Sequence, residues 1–252
     1  MEARALRAVS RSLLKGKWSL GIAVSLVLGG CLMLLSFAYD LSLFLFGMID
    51  YETNEILPVA EENETALLLF YAGLLLLWLF LVEPLEIGAA RFFFALANGA
   101  TASVATLFYA FSRTFYGRAL LMNASLTFRK AGWIVLCLLP GALMSGVSPG
   151  FGGFLMAAGL VTAAVINLRY AAVRTVFAAS DTLSPLFAVK TGVKLMKGNK
   201  SDLFVLNFSF IGWFLLAVPT IGISLMHTVP YYATSHAVFF KRVFDLAAVE
   251  KT

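Results

Sequence analysis

The stretch LLKGKWSL, residues 13–20, leads into a long apolar run, and a close copy of it, LMKGNKSDL, occupies residues 195–203 before another apolar run. Both copies place two large apolar residues and a lysine directly before a glycine. Glycine just past the end of a helix readily adopts the left-handed conformation that ends the helix. The repeated stretch therefore predicts, at Gly16 and again at Gly198, a junction between a surface helix and a helix that enters a membrane.

The composition is typical of an integral membrane protein. Hydrophobic residues make up 60% of the chain and charged residues only 13%, and the mean hydropathy is +0.88. The basic residues are scattered between apolar runs and form no single stripe with interleaved aromatic residues, so we expect no nucleic-acid partner. Cys31 and Cys137 both lie in apolar runs, which indicates small hydrophobic residues with no disulfide framework and no metal-ligand spacing.

The apolar runs predict an all-α membrane protein with six spans. A span needs roughly 20 apolar residues, and it must be helical because lipid cannot satisfy free backbone groups. The predicted spans are 18–39, 66–88, 131–147, 151–169, 203–219 and 221–240.

The distribution of charge supports six spans with both termini on the cytoplasmic side. In that arrangement all 19 Lys and Arg residues fall in the inner segments, as the positive-inside rule requires. The acidic segment 40–65 is then the only sizeable external loop. Its acidic residues resemble a calcium-loop spacing, but Glu55 stands where that motif needs glycine, so we expect no calcium site.

The spans group into three hairpins, each preceded by an amphipathic helix at the cytoplasmic interface. Within one membrane domain, 1–252, the three units are 1–99, 100–181 and 182–252. We expect structural elbows at Gly16, Gly117 and Gly198. The basic faces predicted to contact lipid comprise Arg4, Arg7, Arg11, Lys15, Lys190, Lys194 and Lys197.

Polar residues near or inside the spans form the candidate site. Burying a charge in lipid costs at least ~2.5 kcal/mol, so such residues need a reason. Glu83 and Glu86 flank Pro84 and share a helix face, and the arginines expected at the same depth predict a cross-bundle ion pair. The full candidate cluster is Glu83, Glu86, Asn167, Arg169, Arg174 and Asn207. It is either a polar site open to the cytoplasm or a structural ion-pair network.

Nothing in the sequence indicates an enzyme. His227 and His236 have no Cys or carboxylate at metal-ligand spacing, so we expect satisfied packing for both, and neither a metal nor a cofactor.

Three stretches resemble a known family. They are SRSLLKGKW near the amino terminus, EPLEIGAARFFFALANG in the middle, and the carboxy-terminal GVKLMKGNKSDLFVLNFSFIGWFLLAVPTIGISLMHTVPYYATSHAVFF. The chain is similar to the bacterial integral membrane family catalogued as domain of unknown function 975. The resemblance implies a multi-pass helical protein of a bacterial plasma membrane, and it brings no reaction and no catalytic residues.

Together these features predict a non-catalytic, membrane-organising or partner-binding protein whose basic helices contact anionic lipid of the inner leaflet. A protein partner or a homo-oligomer fits this interpretation. The alternative is a small transporter or exporter with a cytoplasm-facing polar site. A deep, water-accessible cavity lined by the polar cluster would favour transport, and a closed core would favour the organising role.

Overall fold

The computed structural model describes residues 3–48 and 63–249, and every regular element in these two ranges is a helix. A π-helical turn, Trp78–Val82, joins α3 to α4, and a 3₁₀ helix, Val104–Phe111, precedes α5. Most of the predicted external segment 40–65 lies outside the described residues. The α-helices are α1 Ala3–Leu14, α2 Trp18–Leu45, α3 Glu64–Leu77, α4 Glu83–Ala97, α5 Tyr116–Ser145, α6 Pro149–Tyr170, α7 Val173–Ala178, α8 Pro185–Leu195, α9 Lys200–Phe208, α10 Ile211–Leu215 and α11 Leu225–Val249.

Four helices in the described ranges are long and apolar enough to cross a membrane, whereas the sequence predicts six spans. They run Trp18–Leu45, Glu64–Ala97, Tyr116–Ser145 and Pro149–Ala178, and they contain the first four predicted spans except residues 146–147. The predicted span 203–219 is instead divided between α9, α10 and a series of turns. Pro219 cannot continue a helix, and Ile221 (φ 49°) and Gly222 (φ 81°) reverse the chain.

One buried core unites the three predicted units of the chain. It contains Leu85 and Phe92 from the first unit, Phe177 from the second, and Leu206 and Phe239 from the third. The other ends of the long helices expose large apolar side chains, among them Met33 (76%), Leu68 (70%) and Val147 (79%). Apolar surface of this extent suits contact with lipid.

Small residues let helices approach closely, and Gly88 is one of them. A Cβ atom on Gly88 would lie 1.8 Å from the carbonyl oxygen of Leu107, so the 3₁₀ helix rests directly on the backbone of α4. Between α5 and α6, Gly141, Gly152 and Gly159 have the same function, since an added Cβ at each would lie 2.5–2.7 Å from the facing helix. Only glycine, which carries a hydrogen atom where other residues carry Cβ, allows these close contacts.

The predicted elbows differ in structure. Gly16 (φ 79°) and Gly198 (φ 90°) follow α1 and α8 in the left-handed conformation. The prediction for Gly117 is wrong, because Gly117 is the second residue of α5. The chain turns instead at residues 112–115, after a 3₁₀ helix where an α-helix was expected.

The basic faces are only partly as predicted. Arg4, Arg11 and Lys15 are exposed, but Arg7 turns toward the protein and its Nη1 donates a hydrogen bond to the carbonyl of Ser209 at 3.2 Å. The reason is that α1 packs on α11 through the row that contains Leu6, and Arg7 lies beside that row. Lys190 and Lys194 of α8 are exposed, as is Lys197 just after that helix, and Val189 of α8 is buried.

Candidate functional site

Three charged side chains from two parts of the chain form a cluster. Glu83 begins α4, and Glu86 lies about one helical turn later, so both carboxylates are on one face. Arg174, in α7, donates from Nη2 to Glu83 Oε2 at 2.6 Å and from Nη1 to Glu86 Oε2. The predicted cross-bundle ion pair is therefore present, with Arg174 as the partner.

The cluster is largely withdrawn from water. The side chain of Glu83 is 1% exposed, while those of Arg174 and Glu86 are 26% and 24% exposed. Removing an ion from water costs several kcal/mol, so an arginine shared by two carboxylates compensates only part of that penalty. Glu83 Oε1 and Arg174 Nε are buried, and neither has a hydrogen-bond partner among the described residues. Such atoms are where water or a ligand is expected to bind.

Lys130 adds a second positive charge. This half-buried residue of α5 interacts electrostatically with Arg174, Glu83 and Glu86. Within the described ranges its ammonium group forms no ion pair, since Arg174 is the cation that both glutamates contact. The four formal charges sum to zero, but Lys130 keeps all three N–H donors for another partner.

A second polar group joins α9 to α11. His236 Nε2 and the Tyr232 hydroxyl both donate to Asn207 Oδ1, at distances of 2.7 and 3.3 Å. Because a carbonyl oxygen only accepts, the histidine carries its proton on Nε2. The amide nitrogen of Asn207 has no hydrogen bond to any described residue and remains a free donor.

Two cavities meet at these groups. Cavity A has a volume of about 530 Å³ and is lined by residues of α5, α6, α7, α9, α10 and α11. Cavity B has a volume of about 300 Å³ and is lined by residues of α2, α4, α7 and α11. Both cavities are lined by Ala171, Arg174, Tyr232 and His236. Glu86 lines cavity B, whereas no carboxylate from residues 3–48 or 63–249 lines cavity A.

The structure brings five of the six predicted polar residues to this region. Glu83 and Glu86 pair with Arg174, and Asn167 and Asn207 line cavity A. Arg169 is the exception: it is exposed, and its guanidinium lies 5.8 Å from the centre of the Tyr170 ring. The core of the cluster is thus made by Arg174 and not by Arg169.

Sequence reasoning missed three residues of the site, Lys130, Tyr232 and His236. The third predicted span begins directly after Lys130, but neither glycine nor proline lies between Arg118 and Lys130, so α5 carries Lys130 to mid-helix. That uninterrupted run was a usable signal. For His236 no local signal existed, because its partner Asn207 is 29 residues away and on another helix.

A basic groove lies apart from the cavities, on the surface between α8 and α11. Groove C has a volume of about 610 Å³. Its polar wall contains Lys190, Lys194, Lys197 and Asn199, and its apolar wall contains Phe187, Val243, Leu246 and Ala247.

The described chain is thus a helical protein with four apolar helices long enough to cross a membrane, and with a polar cluster beside two cavities. The model of the family described as "Protein of unknown function (DUF975)" matches residues 154–247, from α6 to the last turn of α11. The match confirms the resemblance over these residues, which include Asn207 and His236. No curated protein and no solved structure shows a significant match to the chain.

Proposed function

We propose that the protein is a non-enzymatic, multi-pass membrane protein that binds a small molecule in cavity A from the cytoplasmic side, as a small transporter or exporter does. The observation that supports this proposal is the cavity itself. Its volume of about 530 Å³ lies within the ~300–1,000 Å³ of small-molecule sites, and Lys130, Arg174 and Asn207 line it. A network that only stabilised the fold would not need an open space beside its charges.

The proposal includes six membrane passes, with α9–α10 and α11 as a third, shorter hairpin. This hairpin exposes Phe208 (65%) and Leu215 (63%) along its first arm and Ile221 (94%) at its tip, which favours contact with lipid over water. Lys241 and Arg242 lie toward the opposite end of α11. With both termini cytoplasmic in a bacterial plasma membrane, these basic residues are on the inner side.

In this orientation the polar cluster is at the inner boundary of the hydrocarbon. Glu83 follows Glu64, the first residue of α3, by 19 residues. At ~1.5 Å per residue this distance is ~28 Å, close to the ~30 Å thickness of the hydrocarbon core. The site is therefore reached from the cytoplasm without crossing the membrane.

Accessibility of cavity A to water tests the proposed function. Asn207→Cys, in a background lacking Cys31 and Cys137, should react with an impermeant thiol reagent in inside-out vesicles. Leu206→Cys is the matched control, because the neighbouring Leu206 is fully buried in the core and should not react. A protected cysteine at both positions would mean a closed core and would refute the proposal.

Orientation has its own test. Single cysteines at Asn199 and Glu62 should react oppositely when the reagent is added outside intact cells, with labelling only at Glu62, a position outside the described residues. Labelling at Asn199 alone would reverse the proposed orientation.

Groove C favours a second candidate function, in which the protein organises anionic lipid, and with it a protein partner or another copy, at the inner leaflet. Lysines near such a surface contribute about 1 kcal/mol each. Replacing Lys190, Lys194 and Lys197 together by Gln should then reduce the anionic lipid that co-purifies in native membrane patches. Unchanged lipid content would exclude groove C as the lipid contact.

A further inference from the structure

We infer that the ligand of cavity A is an anionic amphiphile, with a phosphate or carboxylate head at Lys130 and Asn207 and an acyl chain that leaves along α9 and α10. This inference rests on the proposed function, because it names the chemical class bound at the same site. Three properties of the cavity support it: the sign of its charge, the position of its apolar wall and its size.

The charged side chains that line cavity A are positive. They are Lys130 and Arg174, and no carboxylate of the described ranges lines this cavity. The charge of Arg174 is compensated by Glu83 and Glu86, which bind its two Nη atoms and do not line cavity A. Lys130 has no such partner among the described residues, so an anion in cavity A neutralises a half-buried ammonium group.

A neutral donor in the lining that Lys130 shares also suits the oxygens of an anion. The carbonyl of Asn207 is occupied by His236 and Tyr232, which leaves its NH₂ group as a donor. Phosphate and carboxylate oxygens accept hydrogen bonds from amide and ammonium donors together. A cationic ligand would meet the two positive charges and find no carboxylate in this cavity.

Part of the lining of cavity A is apolar and is also exposed on the surface of the protein. Phe204, Phe208 and Ile211 line cavity A and are also 54%, 65% and 46% exposed on the outer face of α9 and α10. In the proposed topology this face contacts lipid. An acyl chain placed there stays in apolar surroundings, as it does in the membrane. A small inorganic anion would leave the apolar part of the cavity unfilled.

The experiment compares thermal unfolding of the purified full-length chain in detergent with three added probes. These are phosphatidylglycerol, phosphatidylcholine with the same acyl chains, and inorganic phosphate. Phosphatidylglycerol should raise the unfolding midpoint in a saturable manner, and the other two should not. An equal response to phosphatidylcholine would overturn the requirement for an anion, and an equal response to inorganic phosphate would overturn the requirement for a chain.

Variants locate the effect. Lys130→Gln should weaken the apparent affinity for phosphatidylglycerol at least about tenfold, as expected for the loss of a charge-assisted contact, and Lys130→Arg should retain most of it. Arg129→Gln is the matched control, because Arg129 is exposed, adjacent and absent from the cavity lining. If Lys130→Gln does not fold, Asn207→Asp is used instead, and the added carboxylate should abolish the response.

The outcomes separate this inference from its alternatives. If the response survives Lys130→Gln but is lost when Lys190, Lys194 and Lys197 are all changed to Gln, the lipid binds at groove C and the inference fails. If oleate stabilises the protein and phosphatidylglycerol does not, the source of the anion is a free fatty acid and not a phospholipid. If Asn207→Cys is labelled but no anionic amphiphile stabilises the protein, the proposed function stands and the ligand class is wrong.

Discussion

The hydroxyl of Tyr116 donates a hydrogen bond to the carbonyl oxygen of Phe80 at 2.9 Å. Phe80 is four residues before Pro84, and proline has no amide hydrogen to offer that carbonyl. The helix 64–97 widens there into the π-helical turn Trp78–Val82, directly before Glu83. A side chain of α5 thus satisfies a backbone group that Pro84 leaves without its usual partner, at the turn that positions the first carboxylate of the site.

Tyr116→Phe should therefore destabilise the protein by about 1 kcal/mol, the net value of one hydrogen bond. The measurement is thermal unfolding in detergent. Tyr170→Phe serves as the control, because the Tyr170 hydroxyl has no hydrogen-bond partner in the described part of the chain. Equal midpoints for the two variants would mean that the Tyr116 hydroxyl contributes nothing.

Arg174→Gln should be the most damaging single change in the polar cluster, at about 3–5 kcal/mol, because it removes the cation that both carboxylates contact. Glu83→Gln should cost less, since Arg174 keeps Glu86. The double variant should be clearly less damaging than the sum of the two single changes.

The same unfolding assay provides the control for this cycle. Arg169→Gln removes an exposed arginine five residues before Arg174, and it should change stability by no more than about 0.5 kcal/mol. Strict additivity of Glu83→Gln and Arg174→Gln would show that the two side chains are not energetically coupled.

The contacts of Asp181, which lies outside the predicted spans, predict that the stability of the protein depends on pH. Its carboxylate accepts hydrogen bonds from Arg91 Nη1 at 2.5 Å and from the Tyr109 hydroxyl at 2.7 Å. The hydrogen bond from Arg91 is the largest cause of a lowered pKa at Asp181, and the hydrogen bond from Tyr109 lowers that pKa further. Burial and the bond to Asp181 raise the pKa of Tyr109, so the tyrosine stays protonated and donates.

A carboxylate with a lowered pKa in the folded state stabilises the protein fully above its unfolded pKa, and the effect is lost as the pH falls through the folded pKa. Asp181→Asn should therefore unfold more easily than the wild type at pH 7, and the difference should shrink below about pH 4. Asp245→Asn, at an exposed residue with no ion pair to a described residue, should show no such convergence. A difference that grows toward acid pH would reverse the assigned sign.

Two glycines in the same long helix offer a matched test of close packing. Gly88→Ala places a Cβ 1.8 Å from the Leu107 carbonyl oxygen, whereas nothing lies within 4 Å of a Cβ on Gly73. We expect Gly88→Ala to cost several kcal/mol through overpacking, and Gly73→Ala to be neutral or to stabilise by up to about 1 kcal/mol through helix propensity. Similar effects at both positions would contradict the direct contact between α4 and the 3₁₀ helix.

Much of the secondary structure could be predicted because it depends on local properties. Long apolar runs become long helices. Gly16 and Gly198 end helices because glycine, which has no Cβ, adopts a positive φ without strain. The same local reasoning failed at Gly117, where the turn is made by the residues before it, and in residues 203–224, where Pro219 and the turns around it outweigh the apolar composition.

By itself, the sequence determined the helical class, the position of the charges along each helix, and the need of Glu83 and Glu86 for a cation at their depth. Only the tertiary structure decided that the cation is Arg174, that His236 bonds Asn207, and that two cavities meet there. The physical reason is that the rotation and approach of helices depend on contacts between distant residues, such as Gly192 against Val173, where a Cβ would lie 2.7 Å from the facing backbone. Local periodicity carries no information about which distant residue provides that surface.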